Sequence, residues 1–199
     1  MARTLKIGVL SFQGDVKEHI AAASSAAKKL GMKIEVVPVR TRERLLALDA
    51  LIIPGAESTT LQKLCEREGM FDGIKNIKNI FGTCAGAILL AKNVSNKEKD
   101  QRTLELMDIE VDRNAYGKQT ESFEQEIDTK LGRMHAIFIR APTITIADKS
   151  ISILSENRGG TLACEQKKGD KYYLASAFHP ELTTTLFHEY FLQKVQEGS

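Results

Sequence analysis

Ile80-Phe81-Gly82-Thr83-Cys84-Ala85-Gly86 runs straight into Ala87-Ile88-Leu89-Leu90-Ala91. The stretch reads as a short buried strand, a tight turn and then a helix. A cysteine at such a turn stands at a helix N-terminus, where free N–H groups and the helix dipole favour a thiolate. The flanking Gly82 and Gly86 let the backbone bend sharply without Cβ clashes, as at a nucleophile elbow. Cys84 is therefore either an exposed nucleophile or a thiol packed into a strand-to-helix turn.

The segments before the elbow repeat the same grammar. Residues 5–11, 33–38, 49–53 and 78–81 read as strands. Helices are expected over residues 15–30, 41–46 and 58–66, with Asp15 capping the first, Ser58 or Thr59 capping the third, and Gly31 and Gly69 as stops. Alternation of this kind predicts a parallel sheet covered on both faces. Beyond the elbow the pattern changes. Residues 103–111, 122–127, 134–139, 144–146, 150–154, 161–166 and 172–177 are strand-like, and a last helix spans about 183–195. Residues 93–102 are polar and read as an exposed loop. The expectation is one α/β domain over residues 1–199: a three-layer sandwich whose mostly parallel central sheet is extended by antiparallel strands.

Composition narrows the chemistry. Apolar residues make up 42% and charged residues 27% of 199, with a net charge of +2, which fits a soluble globular protein. No basic stripe with interleaved aromatics argues for nucleic acid, and no apolar run approaches a bilayer span. Three cysteines without metal-like spacing disfavour a disulfide framework or structural zinc, so a cytoplasmic setting and no metal are expected.

In open α/β sheets the site lies beyond the carboxyl ends of the strands. Gln13-Gly14-Asp15, Pro54-Gly55-Ala56-Glu57-Ser58 and Thr83-Cys84-Ala85 all fall there. A cysteine nucleophile needs a base and an orienter. His179, in Phe178-His179-Pro180-Glu181, follows a strand, and Glu181 would project to the same side in an extended chain. His179 and Glu181 are therefore either the base and orienter for a Cys84 nucleophile or a strand-end histidine with a solvated glutamate nearby. The Ala85 N–H is the natural first oxyanion donor, and the Pro54-Gly55-Ala56 turn can supply a second. His19 reads as a near-surface residue, His135 as a strand start and His188 as an exposed helix residue. Cys65 and Cys164 read as small core residues.

Together these segments resemble the class I glutamine amidotransferases of the triad type. The likeness is closest to the glutaminase subunits of pyridoxal 5′-phosphate synthase. It is carried by residues 8–19, by Pro54-Gly55-Ala56-Glu57-Ser58-Thr59-Thr60, by residues 82–90, by Arg113-Asn114-Ala115-Tyr116-Gly117-Lys118-Gln119 with Ser122-Phe123-Glu124, by Phe138-Ile139-Arg140-Ala141-Pro142 and by residues 178–183. The elbow and the His-x-Glu pair are shared by many glutaminases, whereas the Ser-Phe-Glu and Ile-Arg-Ala-Pro segments are more specific.

The resemblance implies hydrolysis of L-glutamine to glutamate and ammonia through a thioester, without cofactor or metal. It implies that Ala56, Glu57 and Ser58 form the glutamine-binding turn, that Arg113 contacts substrate, and that Ile139 and Arg140 form a second contact pair. An arginine suits the α-carboxylate of free glutamine, and a glutamate suits the ammonium. It also implies a ring-forming synthase subunit as partner in a large hetero-oligomer, with Gln13 organising the oxyanion hole when that partner docks. One departure is visible. The family usually has two glycines after the proline, and this chain has Gly55-Ala56. A glutaminase serving another synthase, such as imidazole glycerol phosphate synthase, and a silent regulatory subunit are the competing readings. The residue 113–124 segments speak against the first and the complete Cys84, His179 and Glu181 set against the second.

Overall fold

The computed structural model describes residues 3–113 and 122–198. Residues 114–119 of the arginine-led segment thus lie outside the described residues, apart from Arg113 at their head. The elements run in the order β1 (Leu5–Leu10), α1 (Val16–Leu30), β2 (Ile34–Val39), α2 (Arg42–Leu45), β3 (Ala50–Ile53), α3 (Ser58–Arg67), α4 (Phe71–Ile74), β4 (Asn79–Thr83), α5 (Ala85–Leu90), β5 (Ala91–Ser95), β6 (Met107–Asp112), β7 (Phe123–Thr129), β8 (Gly132–Phe138), β9 (Thr143–Ile146), β10 (Ile151–Asn157), β11 (Gly160–Lys168), β12 (Lys171–Ser176), a 3-10 turn (Pro180–Leu182) and α6 (Leu186–Glu197).

The central sheet has the order β2-β1-β3-β4-β12-β11-β9-β6-β5, with β10 on the outer edge of β11. Its first five strands are mutually parallel. From β12 outward the neighbours turn antiparallel, until β5 pairs parallel with β6. The expected sheet with an antiparallel extension is what forms, with one correction. The strands β7 and β8 do not join it; they pair as a separate two-stranded ribbon.

Burial on both faces explains why the parallel strands read as unbroken apolar runs. Successive side chains alternate between two cores. Ile7, Val9, Ala50, Ile52, Phe81 and Leu174 face α1 and α6, meeting Ala23, Ala26, Phe187 and Phe191. Leu51, Ile53, Ile80, Tyr173 and Ala175 face the other side, with Leu61, Cys65, Phe71 and residues 87–90. Helix α1 ends where expected: Gly31 adopts φ 65° and its N–H bonds back to the Ala27 and Lys28 carbonyls.

Three local expectations change. The cap of α3 is Glu57, not Ser58 or Thr59; its carboxylate accepts from the N–H groups of Thr59 and Thr60. Asp15 precedes α1 but makes no capping bond. Of the expected loop at 93–102, the part up to Ser95 continues β5, and Gln101 is buried.

The elbow glycines are required by close approach, since neither has a positive φ. A Cβ on Gly82 would stand 2.5 Å from the Gly86 carbonyl carbon, and one on Gly86 2.2 Å from the Ile53 carbonyl oxygen. Helix α5 therefore lies backbone-to-backbone against the end of β3. Gly86→Ala is expected to destabilise the protein by about 3 kcal/mol, the upper range for overpacking. The check is a lower urea midpoint at unchanged m-value.

Candidate active site

Strands β4 and β12 are parallel neighbours, so their carboxyl ends coincide, with Ser176 opposite Thr83. Cys84 leaves the first and His179 follows the second. Cys84 has φ 47° and ψ −102°. A non-glycine residue there carries about 1–3 kcal/mol of strain and needs its surroundings to hold it. The Cys84 N–H donates to the Ser176 carbonyl at 2.8 Å, and the Cys84 carbonyl accepts from the Ile88 N–H at 3.2 Å. The thiol donates to the Ile139 carbonyl at 3.6 Å. Ala85 is the first residue of α5, so its N–H belongs to the turn that has no intrahelical acceptor.

His179 is buried, and its Nδ1 donates to Glu181 Oε1 at 2.8 Å. Its Nε2 makes no hydrogen bond among the described residues, while the Cys84 thiol lies close enough to act on the charge of the ring. Burial acts to lower the His179 pKa, but Cys84 and Glu181 outweigh it and raise the value to about 10. Glu181 moves the opposite way. Burial works against ionisation, yet the bonds from His179 and His19 hold the carboxyl well below its ordinary range. The geometric reason differs from the expected extended chain: Glu181 lies in the 3-10 turn Pro180–Leu182, which folds it back under the ring. The His179 backbone is also held from β8, where the Ile137 carbonyl accepts its main-chain N–H at 2.9 Å.

The turn after β3 closes the site from the other side. Gly55 packs on the imidazole so tightly that a Cβ there would sit 2.2 Å from His179 Cε1. The Gly55 carbonyl in turn lies over Gly14, whose φ is 91° and whose added Cβ would meet that oxygen at 1.7 Å. Gln13 reaches the same turn: its Oε1 accepts from the Glu57 N–H at 3.4 Å. Asp15, freed from capping, puts Oδ2 3.1 Å from His179 Nδ1. Burial and the neighbouring Glu181 raise the Asp15 pKa, against the lowering pull of His179.

Of the expected substrate residues, Glu57, Ser58 and Arg113 form one hydrogen-bonded group with Thr59 and Gln101. Arg113 donates to Glu57 Oε1, to Thr59 Oγ1 at 2.9 Å and to Gln101 Oε1 at 3.1 Å. The Glu57 carboxylate already caps α3 and accepts from Thr60 Oγ1 at 2.6 Å, so an incoming ammonium has to compete for it. Ser58 is buried, and its hydroxyl accepts from Gln101 Nε2 at 2.9 Å. Ile139 and Arg140 follow β8, with the Ile139 carbonyl at the thiol and Arg140 at φ 47°. Gln101 was not foreseen, because a lone glutamine in a polar run carries no sequence signal.

The other histidines and cysteines sort themselves clearly. His19 and His188, expected near the surface, are both fully buried. His135 is exposed on the ribbon between Glu124 and Glu126. Cys65 and Cys164 are buried, and burial pushes both thiols up to about 12. Among the described residues, one His/Cys/Asp/Glu group has metal-like spacing, Asp15, His179 and Glu181. Its 2.8 and 3.1 Å separations at Nδ1 are those of a shared proton.

Comparison with known proteins shows the family and the fold. A crystal structure described as a glutamine amidotransferase superposes with a TM-score of 0.81 at 39% identity, covering 96% of this chain and 98% of its own. The pyridoxal 5′-phosphate synthase subunit PdxT of Methanospirillum hungatei is 48% identical over 97% of this chain and 98% of its own length. The PdxT of Pyrococcus horikoshii is 41% identical over 96% and 100%. The model of the SNO glutamine amidotransferase family matches residues 9–197, and the chain belongs to that family.

Proposed function

We propose that this chain is the glutaminase subunit of pyridoxal 5′-phosphate synthase. It hydrolyses L-glutamine to L-glutamate and ammonia and hands the ammonia to the synthase subunit for vitamin B6 synthesis. The observation that carries the reading is His179, set between the strained Cys84 and the buried Glu181 at one end of the sheet.

In this reading Cys84 Sγ attacks the side-chain amide carbon of glutamine while His179 holds the thiol proton on Nε2. The oxyanion forms against the N–H of Ala85 and that of Ala56. The tetrahedral adduct collapses as His179 passes the proton to the leaving nitrogen, so ammonia departs and a thioester remains. Water then attacks the thioester, His179 takes its proton, and release of glutamate restores the thiol. Glu181 keeps the imidazole in the productive tautomer and steadies the imidazolium. Arg113 meets the substrate α-carboxylate, with Glu57, Ser58, Ile139 and Arg140 lining the remaining contacts. A buried free thiol suits a reducing cytoplasm. No described helix is long and apolar enough to cross a membrane.

The synthase partner follows from the names of the relatives, and the Gln13 contact to the Glu57 N–H supports a route from that partner to the glutamine turn. Neither Gly55 nor Ala56 has a positive φ here. If the oxyanion arrangement needs a positive φ at residue 56, alanine adds a cost of about 1 kcal/mol or more at that step. Ala56→Gly is then expected to raise the glutaminase rate several-fold, more in the free subunit than in the complex. Unchanged rates in both states would refute this.

Ammonia release from glutamine, measured with and without the pentose-using synthase subunit, tests the reading as a whole. Release that rises with the synthase, together with glutamine-dependent formation of pyridoxal 5′-phosphate, is the expected result. No release in either condition refutes a glutaminase, and release indifferent to that synthase assigns the chain to another partner.

A further inference from the structure

The hydrogen-bonded chain does not stop at Glu181. Glu181 Oε1 also lies 3.3 Å from His19 Nε2. That ring nitrogen is 3.1 Å from Thr83 Oγ1, and His19 Nδ1 is 2.9 Å from His188 Nε2. His19, Thr83 and His188 are wholly buried, and they come from α1, β4 and α6. The other Glu181 oxygen, Oε2, has no hydrogen-bond partner among the described residues. A buried carboxylate with one oxygen bare depends on whatever holds the other.

We propose that His19 is a positioning residue of this site: its Nε2–H, shared between Thr83 Oγ1 and Glu181 Oε1, holds the carboxylate edge against His179 Nδ1. The proposal rests on the triad reading above.

The proton assignments follow from the partners. An ionised Glu181 only accepts, so His19 Nε2 carries hydrogen. Burial drives the His188 pKa down to about 3, so that ring is neutral. With His19 carrying hydrogen on Nε2 alone, His188 donates Nε2–H to the His19 Nδ1 lone pair, and its own Nδ1 has no hydrogen-bond partner among the described residues. The titratable groups that face the Glu181–His179 pair are Asp15 and His19 from the start of α1, His188 from α6 and Cys84 from the elbow.

The test compares His19→Leu, which removes the donor at similar volume, with His19→Gln, whose amide nitrogen reaches close to the Nε2 position. Both are assembled with the synthase subunit. His19→Leu is expected to lower kcat about 10- to 100-fold, short of the roughly 10⁴-fold that follows loss of an orienting carboxylate's function, with KM for glutamine little changed. His19→Gln is expected to recover most of that loss. Alkylation of Cys84 by iodoacetamide across pH reads the thiolate–imidazolium pair directly, and its midpoint should move upward in His19→Leu alone. A folded His19→Leu with wild-type kcat and midpoint overturns the proposal, as does a folded His19→Gln no better than His19→Leu. Should His19→Leu not fold, ¹⁵N-histidine spectra of the wild-type subunit decide: a protonated His19 Nε2 supports the proposal and a bare one overturns it. A wild-type complex inactive on glutamine would defeat the glutaminase reading, while the alkylation profile and the ring tautomers would still judge His19.

Discussion

Cys84→Ala abolishes glutamine turnover, by at least about 10⁴-fold, while leaving assembly with the synthase intact. The scale follows from removing a nucleophile whose partners cannot act without it. The fold tolerates the change, because alanine keeps the Cβ and the lost sulfur made a 3.6 Å contact to the Ile139 carbonyl. The backbone strain at φ 47° remains, since it belongs to the turn and is held by the Ser176 and Ile88 bonds. The measurement is ammonia release by the assembled complex, paired with co-elution of the two subunits. Turnover near wild type would refute the nucleophile assignment.

Gly55→Ala is the second large effect, and it acts by crowding the His179 ring while leaving every catalytic side chain in the sequence. Gly55 has no positive φ, so alanine is allowed by the backbone. Its methyl would meet His179 Cε1 at 2.2 Å and both ring nitrogens at 3.0 to 3.1 Å. The ring cannot retreat freely, since its side chain is only 4% exposed and is tied to Glu181. Either the imidazole or the 54–56 turn must shift, and with the turn goes the Ala56 donor. Misplacement of about 1 Å costs on the order of 10²-fold in rate. The expectation is a kcat reduced about 10²- to 10³-fold with near-native circular dichroism. A kcat within about threefold of wild type would show that the ring has room to move.

Much of this was readable from residue types. The strand–helix alternation up to Cys84 follows from short apolar runs separated by capped amphipathic stretches, and local chemistry decides such elements. Cys84, His179 and Glu181 were legible because each sits at a punctuated strand end. Long-range contacts were not legible. His19 and His188 look like ordinary polar residues on amphipathic helices, and 169 positions separate them. Nothing local says that α1 and α6 press the two rings together under the sheet end. Gln101 is the same case, a polar residue in a charged run that tertiary packing buries against Ser58 and Arg113. The separate pairing of β7 with β8 is invisible in the sequence, because strand periodicity reports a half-buried face and says nothing about which neighbour pairs with it.

The local chain by itself determined a cysteine at a glycine-flanked strand-to-helix turn and a late His-x-Glu, which is enough to nominate candidates for nucleophile, base and orienter. It determined no distances among them. Only the parallel pairing of β4 with β12 puts Cys84 and His179 at one sheet end. Only the 3-10 turn sends Glu181 back to the ring. Only the packing of α1 against α6 places a second imidazole behind that carboxylate. Sequence spacing encodes torsions over a few residues, whereas a hydrogen-bonded site depends on separations of a few ångström between distant elements, and those are settled when the sheet and its two helical layers bury their apolar faces together.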